Sequence, residues 1–301
     1  MKRIVELSGG VGGARMARGL AMLENTSLTV VVNVGDDAEN HGLAISPDLD
    51  TVVYTLAGQE GPMGWGRRGD TFALNDELGR FGVDNRFRLG DRDLALKLYR
   101  TNELARSIPL SKTTAAIKDG FGIEADVLPA TDQRLRTNVR IDSGWLTFQE
   151  YFVDRGHADR VLDLSFEGAD TASPAPGALE SIAEADLVVI GPSNPPLSIW
   201  PILAIDGYRQ ILIDHPAVVA VSPLIGGKTV KGPADKVLED LGLGTGNAAV
   251  ARAYQGLIKR LVIDSSDATD VEEIEGLEVV VTDTLITDRE AGHRLAIEVT
   301  R

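Results

Sequence analysis

The chain of 301 residues contains no cysteine, which removes disulfide frameworks, zinc–thiolate sites and thiol nucleophiles from consideration. Basic residues are scarce: 30 Lys and Arg against 45 Asp and Glu leave a formal charge of -15. Such a surface repels phosphodiester backbones and anionic membranes, so nucleic acid and lipid are poor partners. No run approaches the ~20 apolar residues of a membrane span, and the opening Met1-Lys2-Arg3-Ile4-Val5-Glu6-Leu7 is too short in its apolar part for a secretory signal. These features read as a cytoplasmic protein. Also missing is a histidine motif, since His41, His157, His215 and His293 are scattered without metal-ligand spacing and none joins a serine in a nucleophile elbow.

What is present is α/β patterning. Apolar, β-branched runs suited to buried parallel strands occur at Ile4 to Leu7, Leu28 to Val34, Leu187 to Ile190, Val218 to Val221, Leu261 to Ile263 and Leu277 to Val281. Helical periods follow or precede them at Arg15 to Leu23, Pro176 to Ala185, Ala234 to Leu241, Ala248 to Lys259 and Asp288 to Glu298. This alternation predicts a Rossmann-like three-layer α/β core with a mainly parallel sheet. The middle is different: helical periods fill about 71–122, and alternation follows, with Val139 to Phe148 reading as two strands and a short turn. The expected division is a core of 1–60 and 165–301, with 61–164 forming a helical lobe and a small β extension.

The most informative stretch is Ser8-Gly9-Gly10-Val11-Gly12-Gly13-Ala14-Arg15, a strand end running into a helical pattern. Glycines let backbone approach a ligand closely, and the N–H groups of the following helix attract an anion. A strict G-x-G-x-x-G is absent, because Arg15 stands where the third glycine would be; this counts against a nicotinamide-dependent oxidoreductase. The second strand ends in Asn33-Val34-Gly35-Asp36-Asp37, and Ser46-Pro47-Asp48-Leu49-Asp50 follows. Carboxyl ends of neighbouring parallel strands share one rim, so Asp36 and Asp37 should face the glycine loop. Phosphate and carboxylate brought together call for a cation, and Mg²⁺ bridging phosphate oxygens to one or two aspartates would reconcile them. Asp48 reads equally well as a helix cap.

Three further stretches belong to the same discussion. Gly191-Pro192-Ser193-Asn194 opens from a strand end and offers neutral donors and acceptors. Arg88-Leu-Gly90-Asp91-Arg92-Asp93 and Trp65-Gly-Arg67-Arg68 supply arginine forks and an aromatic face. Ser222-Pro223-Leu-Ile-Gly226-Gly227-Lys228-Thr229 approximates a phosphate-binding P-loop but lacks its first glycine, and Pro223 removes an amide.

Taken jointly, SGGVGGAR, NVGDD, HGLAISPDLDTVVYTLAG, WGRRGDTF, RLGDRDLA, LPATD, GADTASPAPG, GPSNPPLSIWPIL and SPLIGGKTVKGPAD resemble the 2-phospho-L-lactate transferases of coenzyme F-420 biosynthesis, in order and as far as about Asp235. That resemblance implies transfer of a phospholactyl, phosphoenolpyruvyl or related three-carbon phosphate from a guanosine diphosphate-linked donor to the ribityl hydroxyl of the deazaflavin Fo. GMP would be released, Mg²⁺ would be required, and the enzyme would be a homodimer. Carried over by motif, Gly9, Gly10, Gly12, Gly13, Ser193, Asn194 and Lys231 would hold the donor. Asp50, Arg88 and Arg92 would contact Fo, and Asp36 with Asp50 would bind metal or orient the attacking hydroxyl. A non-catalytic nucleotide-sugar-binding regulator of the related gluconeogenesis-factor group is the competing reading. It would be expected to lack the HGLAISPDLDT, GDRD and KGPAD blocks.

Overall fold

Seven parallel strands form the centre of the protein, in the order 278–282, 260–264, 218–221, 187–190, β1 (Lys2–Ser8), β2 (Thr26–Val32) and 126–129. The computed structural model describes residues 1–83 and 87–301. Five of the strands contain Val/Ile/Leu-rich runs buried on both faces, as parallel strands covered by helices must be. On one side α1 (Gly10–Ala21) packs against α2 (Pro47–Leu56) and the last helix, Arg289–Thr300. The chain is thus the three-layer α/β core expected, with each of the six anticipated strands in its sheet.

The seventh strand departs from the sequence expectation. Asp126–Pro129 pairs in parallel with β2 and forms the sheet's edge, although it falls inside the stretch assigned to the lobe. It is short, half-buried in alternation and closed by a proline, so it carries the pattern of a surface strand rather than of a core one. The helical part of the lobe comprises α3 (Ala73–Arg80), α4 (Asp91–Ala105) and α5 (Leu110–Gly120). The expected hairpin is present as Arg136–Ile141 with Gly144–Thr147, and Asp163–Glu167 adds a third antiparallel strand.

Sheet order locates the site. From β1 the chain proceeds through β2 to one edge and through 187–190, 218–221 and 260–264 to the other, so strand order reverses between β1 and 187–190. A crevice opens at such a switch point, beyond the carboxyl ends of the strands. The glycine loop after β1 and the Gly191–Asn194 loop sit there side by side.

Candidate active site

The two loops are stapled together. Ser193 Oγ donates to the Gly9 carbonyl (2.8 Å) and accepts from the Gly9 N–H (3.1 Å). Gly12 must be glycine for packing: a Cβ there would lie 2.1 Å from the Pro192 carbonyl oxygen. Gly10 opens α1 with a φ of +64°, the left-handed conformation that glycine adopts without strain. Gly9, at the N-cap, has no side chain to cap the helix, and Asp48 supplies the missing acceptor from α2: Gly10 N–H donates to Asp48 Oδ1 (2.7 Å). The remaining amides of the first turn are the helix's unsatisfied donors.

Asp48 does not cap its own helix; Ser46 occupies that position and makes no side-chain cap bond. Instead the Asn33 amide bridges two carboxylates, donating to Asp36 Oδ1 and Asp48 Oδ2 at 3.0 Å each, while its oxygen accepts from Gly35 N–H. Asp36 and Asp48 are both buried. Burial, with the Asp48 and Asp37 charges added, raises the Asp36 carboxyl well above the ordinary value. Burial raises Asp48 too, against the opposing hydrogen bonds from Asn33 and Gly10. Neighbouring Asp37, held by Ser46 Oγ (2.8 Å), is pushed by burial to about 7.

Asp50 stands two residues along α2 and faces the other way, into α4. Arg100 grips both of its oxygens, and Lys97 Nζ donates to Oδ2 at 2.6 Å. Burial alone would raise this carboxyl; Arg100 and Lys97 outweigh it and hold it below the ordinary value. The resemblance implies Asp50 beside Asp36; in the structure it is Asp48 that lies beside Asp36, through the Asn33 amide, and Asp50 is paired with Lys97 and Arg100. Among the described residues no group of three or more His, Asp or Glu is arranged to hold an ion, so the protein offers a metal the Asp36–Asp48 pair and no closed cage.

A cavity of about 1130 Å³ joins these parts. Gly9, Gly10, Gly12, Asp36, Asp48, Ser193 and Asn194 line one end; Asp50, Tyr54, Arg88, Asp93 and Lys97 line the lobe side. Pockets for one small ligand run to about 1,000 Å³, so the space is large enough for two substrates. A third wall is apolar: Phe148 and Phe152 stack with centroids 5.3 Å apart, and Leu197 lies beside them. Phe152 and Leu197 each sit on a single π-helical turn, Glu150–Asp154 and Pro195–Ile199, a geometry found frequently at functional sites.

The other expected residues distribute unevenly. Asn194 Oδ1 caps the turn at Leu197 (3.2 Å). Lys231 lines the cavity, bonds the Met63 carbonyl and lies 5.3 Å from the Trp65 ring centroid. Burial and then Arg15 lower its pKa, which marks a cationic pair near the glycine loop. Arg88 lies over Phe72 and pairs with Asp76 at 3.1 Å. Arg92 is not on the cavity wall, and its backbone N–H bonds Asp70 as part of the start of α4. The P-loop look-alike is a two-strand hairpin, Leu224–Ile225 with Lys228–Thr229. Its Gly226 and Gly227 amides are spent on Asp267, at 3.0 and 2.7 Å, so no phosphate cradle exists there.

Known proteins resemble this chain over nearly its whole length. The family profile described as "2-phospho-L-lactate transferase CofD" matches residues 4–300. A 2-phospho-L-lactate transferase of Methanopyrus kandleri is 43% identical, covering 99% of this chain and 97% of that protein. A phosphoenolpyruvate transferase of Streptomyces griseus is 41% identical, covering 98% and 96%. Among solved structures, a UPF0052 family protein from Bacillus halodurans superposes with a TM-score of 0.67 at 17% identity, covering 100% of this chain and 99% of that one, which shows a shared fold.

Proposed function

The chain belongs to the 2-phospho-L-lactate transferase CofD family, and on that premise we propose that it transfers a three-carbon phosphate from a guanosine diphosphate-linked donor to the ribityl hydroxyl of Fo, releasing GMP. The observation that supports this best is the meeting, in one cavity, of a glycine-rich helix N-terminus and a carboxylate pair that makes no ion pair with a described residue. The donor's diphosphate would lie over the α1 amides, with Lys231 and Arg15 to offset its charge. Fo would extend toward the lobe past Asp50 and Arg88.

The residues fit Mg²⁺ in the way that ion usually binds, through one or two carboxylates with substrate phosphates and water completing its shell. Asp36 and Asp48 would hold it, and it would supply Lewis-acid stabilisation of charge on the leaving group. The chain's own part is then positioning. The ribityl oxygen attacks the phosphorus that carries the three-carbon acid; that new P–O bond replaces the bond to the bridging oxygen, which departs with its electron pair on GMP. An aspartate of the pair orients the hydroxyl and accepts its proton. A cytoplasmic homodimer goes with this reading, and light scattering on the purified protein checks the dimer.

The decisive experiment incubates the protein with Fo, Mg²⁺ and either the phospholactate or the phosphoenolpyruvate donor, following GMP and the deazaflavin product by chromatography. Fo-dependent GMP release with a phosphodiester product is expected. Equal GMP release without Fo would show a hydrolase instead.

A further inference from the structure

Two helices face each other across the lobe side of the cavity and exchange rungs. On α2, Asp50 and Tyr54 are one turn apart; on α4, Asp93 and Lys97 are one turn apart. Asp50 meets Lys97, and Tyr54 meets Asp93, with the Tyr54 hydroxyl donating to Asp93 Oδ1 at 2.6 Å. Lys97 also donates to Asp93 Oδ1, and Arg100 closes the far side on Asp50. Two carboxylates and two cations balance, and all of Asp50, Tyr54, Asp93 and Lys97 line the cavity.

Counting donors and acceptors exposes what is left over. Lys97 has three N–H bonds, of which Asp50 and Asp93 take two. Asp93 has two oxygens, and the hydrogen bonds to its side chain from described residues all reach Oδ1. Among the described residues one charged donor and one charged acceptor therefore remain side by side on the wall, at residues nearly excluded from water. An anion placed there would be repelled by Asp93, and a cation by Lys97. A hydroxyl group satisfies both at once, because it donates and accepts through one oxygen.

We propose that Lys97 and Asp93 read an internal hydroxyl of the acceptor's polyol chain, and so make the enzyme specific for a hydroxylated side arm rather than for a terminal hydroxyl alone. The inference rests on the transferase reading above, in which the arm's terminal hydroxyl is at Asp36 and Asp48. Asp50, clamped by Arg100, then serves as a positioning residue that fixes Lys97.

The test compares Fo with the same deazaflavin ring carrying a 5-hydroxypentyl arm, which keeps the terminal hydroxyl and lacks the internal ones. Wild-type protein should favour Fo at least tenfold in kcat/KM, since a site built to bond a hydroxyl rejects the analogue that leaves its buried polar groups unpaired. Lys97→Met and Asp93→Asn should each narrow that preference at least tenfold, whatever they do to overall rate. A merely structural role would slow both acceptors alike and leave the ratio intact, which would overturn the proposal. Quenching of deazaflavin fluorescence on binding, without donor, gives the same comparison independently of turnover and of the variants. Equal dissociation constants for the two acceptors on wild-type protein would also overturn it. Transfer to neither acceptor would instead remove the transferase reading, while the binding comparison still decides the hydroxyl assignment.

Discussion

Asp48 and Asp50 stand two residues apart on one helix, yet they belong to opposite electrostatic regimes. Asp48 shares an amide with Asp36, neither makes an ion pair with a described residue, and burial raises both carboxyls; Asp50 is enclosed by Arg100 and Lys97 and is lowered. The helix turn separates them: α2 presents Asp48 to the glycine loop and Asp50 to α4. An under-compensated pair is costly unless something positive arrives, whereas a compensated one is complete within the folded chain. The first arrangement is what a binding site for a cation and phosphate needs, and the second is scaffolding with one edge exposed to the cavity.

Replacing each aspartate by asparagine should break this contrast open. Asp48→Asn and Asp36→Asn are expected to lower kcat by about 10²- to 10⁴-fold, the usual scale for a positioned group that handles a proton. For Asp36→Asn folding stability should hold or rise, because one of two repelling buried carboxylates is gone; Asp48→Asn loses that repulsion but also a hydrogen bond, since both Asp48 oxygens accept and an amide nitrogen cannot. Initial-rate assays beside urea unfolding read both quantities, and a rate within tenfold of wild type would remove that aspartate from the chemistry.

Asp50→Asn should do the reverse. Leaving Arg100 buried without its carboxylate costs about 3–5 kcal/mol by the precedent of broken buried pairs. A midpoint shift smaller than that for Asp48→Asn would show that the Asp50 ion pair is not structural.

Acidity sharpens the comparison further. The folded-state values of Asp36 and Asp48 lie above the ordinary aspartate value, so the stability their protons supply is fully present below that value and is lost as pH rises through the folded ones. Mg²⁺ with GDP should restore it, by about 2.7 kcal/mol at a hundredfold excess over Kd. The gain should shrink as pH falls toward 5, when the carboxyls keep their protons. Thermal melting across pH with and without Mg²⁺ checks this, and a ligand shift independent of pH would place the ion elsewhere.

How much of this was readable beforehand follows from which forces are local. Leu187 to Ile190 and Val218 to Val221 matched their strands residue for residue, since a β-branched run buried on both faces has no other stable use. The glycine loop and Asp36 were legible because strand order alone brings them to one rim. Asp48 was ambiguous, as Ser46-Pro47-Asp48 has the composition of a cap and only the tertiary structure turns its oxygen to Gly10. The Asp50 clamp could not be read at all: its partners lie 47 and 50 residues away, and no spacing in a single chain specifies such a pairing. For Ser193 the motif located the residue but not its task, its hydroxyl being occupied by Gly9.

A third buried acid supplies the limiting case and the smallest effect. Glu6 is fully buried in β1 beneath the paired loops, where a Cβ on Gly191 would come within 2.4 Å of its Oε1, and neither carboxyl oxygen has a partner among the described residues. Burial raises its pKa well above 4.5, with neither cation nor hydrogen bond in opposition. The folded chain thus holds this proton more tightly than the unfolded chain does. Stability supplied by that proton is complete below 4.5 and is lost as pH rises through the folded value. Glu6→Gln keeps the shape and removes the titration. The variant should match wild type near pH 4 and exceed it at pH 8, by about 1–3 kcal/mol if the unpartnered oxygens carry a normal desolvation cost. Unfolding curves for the two proteins that run parallel across that range would mean that Glu6 shares its proton-linked cost with a partner, and that the Asp36–Asp48 pair is not the more compensated of the two sites.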